Sequence, residues 1–314
     1  MLAGASATVM APHVLRAQAG PVRIVVPYPP GGSIDTIARL IQPGMQQRLG
    51  TTVIVDNRGG AAGAIGAASV AKSAPDGNTW LLCFDTQALN SLTNPNLQFD
   101  AEKDFDPVLL IGTGPLALCA NPTRPYKTFA ELVAAAKAKP GILTCAVGGN
   151  GGLTHLAFLL LQKLAGIRFL YVVYRGGGPA TADAVAGHVD LLSGTIPQIA
   201  AQLQSGGLRA LVQTGPARLP ILPDVPTAIE CGFPNFEAMT WWGSFAPAGT
   251  PPAMIERFGA AMTATLRDPQ VMATITGPLQ IAPILGGPEH LRRFFRAQLD
   301  MWGPVVREHG IKVE

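Results

Sequence analysis

A short apolar run, Val22-Arg23-Ile24-Val25-Val26, stops at Pro27-Tyr28-Pro29-Pro30-Gly31-Gly32-Ser33, and a helical pattern begins at once. Ile34, Ile37, Ala38, Ile41 and Met45 recur at helix spacing, with Arg39, Gln42, Gln46 and Arg48 on the other side. Strand, glycine turn and helix in that order set unpaired backbone N–H groups beside the positive end of a helix dipole, which is a seat for an anion. A second junction of this kind lies downstream. Ile142-Leu143-Thr144-Cys145-Ala146-Val147 leads into Gly148-Gly149-Asn150-Gly151-Gly152, and a helix follows over residues 153–164. Two anion seats in two halves of one chain predict a clamp.

Strands and helices alternate along most of the length. Strands are expected at 52–55, 80–84, 142–147, 169–174, 189–192 and 208–213, and as a consecutive pair, 108–111 and 116–120, broken at Gly112-Thr113-Gly114-Pro115. Helices are expected at 62–73, 153–164, 179–187, 197–204, 252–266, 268–275 and 288–309, and after the capping box Thr128-Phe129-Ala130-Glu131. This alternation argues for parallel α/β sheets. Residues 215–252, rich in Pro and Gly and holding Trp241 and Trp242, fit neither period for long and read as a return path between domains. Pro43 and Pro304 fall inside otherwise good helices.

At 314 residues the chain can hold two domains. Only 14% of residues are charged and the net charge is +3, without the basic stripe that nucleic acid binding needs. Arg292, Arg293 and Arg296 read as the solvated face of a helix whose other face is Leu291, Phe294, Phe295, Leu299 and Trp302. Residues 1–19 carry no acid, an apolar segment and an A-x-A pattern at Ala17-Gln18-Ala19, which predicts a signal peptide cleaved after Ala19. Cys83, Cys119, Cys145 and Cys231 are far apart, and no Cys or His cluster has metal-ligand spacing, so neither a metal nor a cofactor is expected.

Gly60, Gly63 and Gly66 follow the strand 52–55 at the spacing G-x-x-G-x-x-G, not the G-x-G-x-x-G of dinucleotide folds, and no acid closes the next strand at the right distance. The simpler reading is a helix that packs tightly on the sheet. Three polar residues have two readings each. Asp35, in a first helical turn, is either a capping group or an acceptor for a ligand. His155, in the first turn after Gly152, is either a local hydrogen-bond partner or a neutral donor to a bound oxygen. Arg175 is either an exposed loop cation or a ligand contact at the carboxyl edge of a strand.

Taken together, the segments resemble the Bug family, the extracytoplasmic solute-binding receptors of tripartite tricarboxylate transporters. The pieces are residues 26–35 (Val-Pro-Tyr-Pro-Pro-Gly-Gly-Ser-Ile-Asp), 55–63, Ala74-Pro75-Asp76-Gly77, Asp104-Phe105-Asp106-Pro107-Val108, 149–156, Pro223-Asp224-Val225-Pro226-Thr227 and Trp242-Gly243. Each is weak alone; their order and spacing are specific, and they cover nearly the whole chain after residue 19. The resemblance implies an α/β, two-lobed periplasmic-binding-protein fold of the type II flytrap kind, each lobe a mostly parallel sheet flanked by helices. One lobe would be residues 20–118 with 240–314, the other 119–239. It implies a monomer in the periplasm that holds a small carboxylate by loop amides and waters, and works with the membrane components of such a transporter. Carried over, Tyr28, Gly32, Ser33, Asp35 and Ala64 would line one lobe, and Gly151, Gly152, Thr154, His155, Arg175, Gly176 and Thr195 the other. Two rival readings are an α/β enzyme with a nucleotide cofactor and a stand-alone flytrap sensor.

Overall fold

The computed structural model describes residues 20–308; the expected signal peptide, residues 1–19, lies outside the described residues. The chain opens with β1 (Val22–Val26), α1 (Ser33–Leu49), β2 (Val53–Asn57), a single 3-10 turn at Ala61–Gly63, α2 (Ala64–Ala71), β3 (Thr79–Phe84) and α3 (Thr86–Thr93). It continues through β4 (Phe105–Ala120), α4 (Phe129–Ala138), β5 (Thr144–Val147), α5 (Leu153–Leu164), β6 (Leu170–Val173) and α6 (Gly177–Ala186). Then come β7 (Leu191–Thr195), α7 (Ile196–Ser205), β8 (Arg209–Gln213), β9 (Met239–Pro247), α8 (Pro252–Leu266), α9 (Pro269–Thr276), β10 (Ala282–Gly286) and α10 (Pro288–Glu308).

The strands run β2-β1-β3-β9-β4-β7-β5-β6, with β10 and β8 also on β4. Pairing is parallel among β1, β2 and β3 and among β5, β6 and β7. The connecting strands β4 and β9 run antiparallel to their neighbours. β4 therefore belongs to both halves: Pro115 still pairs with Met239 of β9, and Leu116 already pairs with Thr195 of β7.

The expected break at Gly112–Pro115 is not there. β4 is continuous, and its glycines serve close approach instead of a turn. A Cβ on Gly112 would sit 2.3 Å from the Ala282 carbonyl of β10, and one on Gly114 would meet the Trp242 ring at 3.2 Å. The return path of residues 215–252 is also corrected, because it contains β9. That strand is buried from Thr240 to Pro247, so it shows no polar alternation to read. Its consecutive indoles point to opposite faces: Trp242 packs with Ile37, Ile41 and Phe258 between sheet and α1/α8, Trp241 with Leu291 and Phe295 under α10. Trp80 stacks on Phe258 at 3.9 Å and 7° in the first of these clusters.

The strand-to-helix junctions are where glycine matters. Gly66 lies inside α2, and a Cβ there would come 2.6 Å from the Arg58 carbonyl and 2.7 Å from Pro27, so this glycine lets α2 rest on the end of β1. α10 reaches both halves, with Leu291 and Phe295 in one cluster and Trp302 and Val306 in the cluster around α4 and α5. The four cysteines are free, three of them buried. Among the described residues no helix is long and apolar enough to cross a membrane.

Candidate functional site

Open α/β sheets bind ligands outside the carboxyl ends of their parallel strands. Here that edge is shared. The ends of β1, β3, β5 and β7 face one cleft, bordered by Tyr28, Ser33, Thr86, Gly152, Thr195 and Gln198 among others. No lining side chain is ionic.

Five helices begin at this cleft: α3, whose first residue Thr86 lines it, and α1, α5, α6 and α7. The N-cap residues of α1, α5, α6 and α7 are Gly32, Gly152, Gly176 and Thr195, and none makes a side-chain cap. Away from the cleft, α4 and α9 are capped by Thr128 and Asp268, whereas α2 and α8 have no side-chain cap. Orphan N–H groups and positive dipole ends thus gather where a ligand would sit, and their N-cap residues satisfy none of them by a side chain; at α5 alone of the four, Asp85 accepts from the Leu153 amide. Two of these ends were legible in the sequence; the fold brings five together.

The first wall is built on the turn after β1. Tyr28 Oη donates to the Ala62 carbonyl at 2.9 Å, and the Thr86 hydroxyl is its second partner. Burial raises the Tyr28 pKa well above its ordinary value, so the phenol stays a neutral donor. Asn90 Nδ2 also donates to Ala62 O (3.1 Å), which holds Ala61 and Ala62 at φ 47° and 51°. Ser33 Oγ accepts from the Trp242 indole N–H at 3.3 Å, leaving its own proton free to donate. Asp35 does not line the cleft. Its carboxylate accepts from the Gly31 amide (2.9 Å), Arg39 Nε (3.0 Å) and Asn57 Nδ2 (3.0 Å). Burial pushes its pKa up, but these bonds outweigh that and hold it below the usual carboxylate value. Of its two readings, the structure supports one: Asp35 fixes the Pro29–Gly31 loop.

The second wall contains Gly152, Thr154 and Thr195. Thr195 is 2% exposed, and its hydroxyl finds no partner among the described residues. His155 lies behind the wall. Its Nδ1 accepts from the Gly151 amide at 3.3 Å, its ring meets Tyr171 edge-on at 4.7 Å, and burial lowers its pKa, so it shapes the turn as a neutral ring. Gly151 takes φ 71° in that turn. Gly176 is buried, its neighbour Gly177 lines the cleft, and Arg175 is exposed outside it. Ala64 lies beside a different surface depression, with Ile65, Ala68 and Lys72. Of the twelve expected residues, Tyr28, Gly32, Ser33, Gly152, Thr154 and Thr195 border the cleft; Asp35, Ala64, Gly151, His155, Arg175 and Gly176 do not.

Phe84, Thr86 and Gln198 line the cleft without having been expected. Phe84 and Thr86 flank the end of β3, where the carboxyl-edge rule could have found them. The walls touch. A Cβ on Gly178 would meet the Pro30 carbonyl at 2.4 Å, one on Gly176 would meet Pro29 at 2.8 Å, and Asp85 Oδ1 accepts from the Leu153 amide at 3.2 Å.

This geometry has counterparts. The family model described as tripartite tricarboxylate transporter family receptor matches residues 37–311. The chain belongs to that family. A solved relative, the periplasmic binding protein BugD, superposes with a TM-score of 0.89 at 31% identity, over 93% of this chain and 98% of that one. A Rhodopseudomonas palustris protein solved with adipate gives 0.89 at 30% identity, covering 93% and 98%. MatC of the same organism, solved with bound malate, gives 0.84 at 32%, covering 91% and 98%. As in these solute-binding proteins the fold is two-lobed, and a receptor of this family binds its solute without transforming it. The nucleotide-enzyme reading is set aside with it.

Proposed function

We propose that this receptor closes on one small organic acid per chain, in the cleft between its lobes, and delivers it to the membrane components of a tripartite tricarboxylate transporter. The observation that carries the reading is the meeting of the N-termini of α1, α5, α6 and α7, whose own N-cap residues make no side-chain cap, on a cleft with no ionic lining. Such a site holds a carboxylate by amides, hydroxyls and dipoles. The two relatives solved with adipate and malate support that class of ligand. The lobes would be residues 20–118 with 240–314, and 119–239, with β4 and β9 as crossings between them. The chain would act as a monomer, and as a transport receptor in preference to a sensor, which the family match favours.

A thermal-shift screen of carboxylates tests the reading. Binding to the folded form alone adds about 2.7 kcal/mol at a hundredfold excess over Kd, so the matching acid should raise Tm by several degrees, with EDTA present. The uncharged amide of that acid should do far less, and the radius of gyration should fall on adding the acid. Equal binding of acid and amide would overturn the proposal. For the route outward, the Ala17-Gln18-Ala19 pattern gives a periplasmic chain beginning at Gly20. Terminal sequencing of the exported protein checks this; a retained Met1 refutes it.

A further inference from the structure

The second anion seat read from the sequence, at the start of α5, already holds a carboxylate, and it belongs to the protein. Asp85 is 2% exposed at the end of β3. Its Oδ1 accepts from the Leu153 amide, the first N–H of α5, at 3.2 Å, and its Oδ2 accepts from the Thr240 hydroxyl of β9. Among the described residues no basic side chain pairs with it. The titratable groups that feel its charge are Tyr28 and Cys83, and burial keeps both protonated. Its chain neighbours Phe84 and Thr86 line the cleft, as does Gly152, the residue before its donor.

A buried carboxylate at a helix N-terminus uses up the positive potential that would otherwise greet an external anion. With little water between, its own field on the adjoining cleft is weakly screened. At the α1 end the buried carboxylate, Asp35, differs in being paired with Arg39 and bonded to the Gly31 amide outside the cleft, so the amides of the first turn of α1, the Ser33 hydroxyl and the unpartnered Thr195 hydroxyl remain for a ligand. The lining near Asp85 consists of the Tyr28 and Phe84 rings, packed at 4.6 Å, and the Thr86 side chain.

We propose that Asp85 closes the α5 end of the cleft to anions, so that the receptor selects an acid with one carboxylate and an uncharged far end over the matching dicarboxylate. This rests on the reading of the cleft as a carboxylate site. It also separates this chain from the two relatives solved with adipate and malate, which are both dicarboxylates.

The test is calorimetric titration of the exported chain with three matched pairs: hexanoate and adipate, 3-hydroxybutanoate and malate, benzoate and terephthalate. In the pair that binds, the monoacid should be favoured at least tenfold at pH 7.5. In Asp85→Asn, which keeps an oxygen for the Leu153 amide but no charge, that preference should shrink at least tenfold. Burial raises the Asp85 pKa to about 6, more than its bonds to Thr240 and Leu153 lower it. Lowering the pH from 7.5 to 5 should therefore protonate Asp85 and narrow the preference of the wild-type chain by more than it changes in the Asn variant, where only the acids titrate. The wild-type pH series stands even if the variant does not fold. A diacid bound as well as its monoacid, or a preference unchanged in Asp85→Asn or, between pH 7.5 and 5, in the wild type, overturns the inference while leaving the carboxylate site intact. Failure of all six acids to bind overturns the carboxylate reading and the inference with it.

Discussion

Replacing Gly178 with alanine should weaken ligand binding at least about tenfold, roughly 1.4 kcal/mol, without harming the fold. The added methyl would meet the Pro30 carbonyl oxygen at 2.4 Å and the Gly31 backbone at 3.4 Å. A backbone oxygen cannot rotate away, and this one sits in a braced loop: Asp35 holds the Gly31 amide, and Asn57 Nδ2 donates to the Tyr28 carbonyl at 3.0 Å. The only relief is for the two walls to part. Gly178 lies in the first turn of α6 without a positive φ, and helix propensity alone favours alanine there. Unfolding stability should thus be kept or rise while affinity falls, and Gly178→Val should bind still more weakly. Calorimetry with the acid selected by thermal shift gives the affinity, and X-ray scattering should find the variant less compact than the wild type at saturating acid. Gly287→Ala, where a methyl meets nothing within 4 Å, is the control. Wild-type affinity in Gly178→Ala would show that the contact seen here does not form in the bound state.

How far the sequence discloses this molecule depends on how local each signal is. α1 and α8 announce themselves because one face is apolar at helix period, and the first strand because it meets the glycine turn. β9 does not, since a strand buried on both faces loses its alternation. The glycines of β4 look like a turn because nothing in their neighbourhood tells of β10, which arrives from about 170 residues later to need the space. α3 is hidden for another reason. Beside Ala88 and Leu89 its buried positions hold Thr86, Gln87, Asn90 and Thr93, and so many polar inward residues blur the amphipathic pattern.

The site follows the same division. Gly32 and Gly152 were legible as helix starts, because strand, glycine and helix are adjacent in the chain. Thr195 needed the resemblance, and the structure gives its reason: β7 runs on to residue 195 and delivers the side chain into the cleft at the start of α7. Asp85 looks, in sequence, like an acid that fails a dinucleotide pattern. Its meaning depends on Leu153 and Thr240, which are 68 and 155 residues away. Arg175, the cation one would assign to an anion by charge alone, points elsewhere, and amides, hydroxyls and dipoles remain.

The Thr195 hydroxyl is where that division can be measured with opposite signs in two experiments. Thr195 is the N-cap of α7 but caps nothing with its side chain, and its buried Oγ1 has no partner among the described residues. An unsatisfied buried hydroxyl costs about 1–3 kcal/mol, so Thr195→Val, which keeps the shape and suits the end of a strand, should leave the ligand-free protein as stable or more so. With the acid bound, the same hydroxyl would donate to a carboxylate, an interaction worth about 1.5–3 kcal/mol. The Val variant should therefore lose roughly tenfold to a hundredfold in Kd or slightly more. Thr195→Ser, which keeps the donor, should recover most of the affinity. Calorimetric unfolding of the free protein and titration with the acid give the two numbers. A hydroxyl that merely packs would lower both or neither, and undiminished binding in Thr195→Val would remove it from the ligand's partners. Only a group left unpaired until the ligand arrives raises the stability of the empty protein and lowers its affinity when it is deleted.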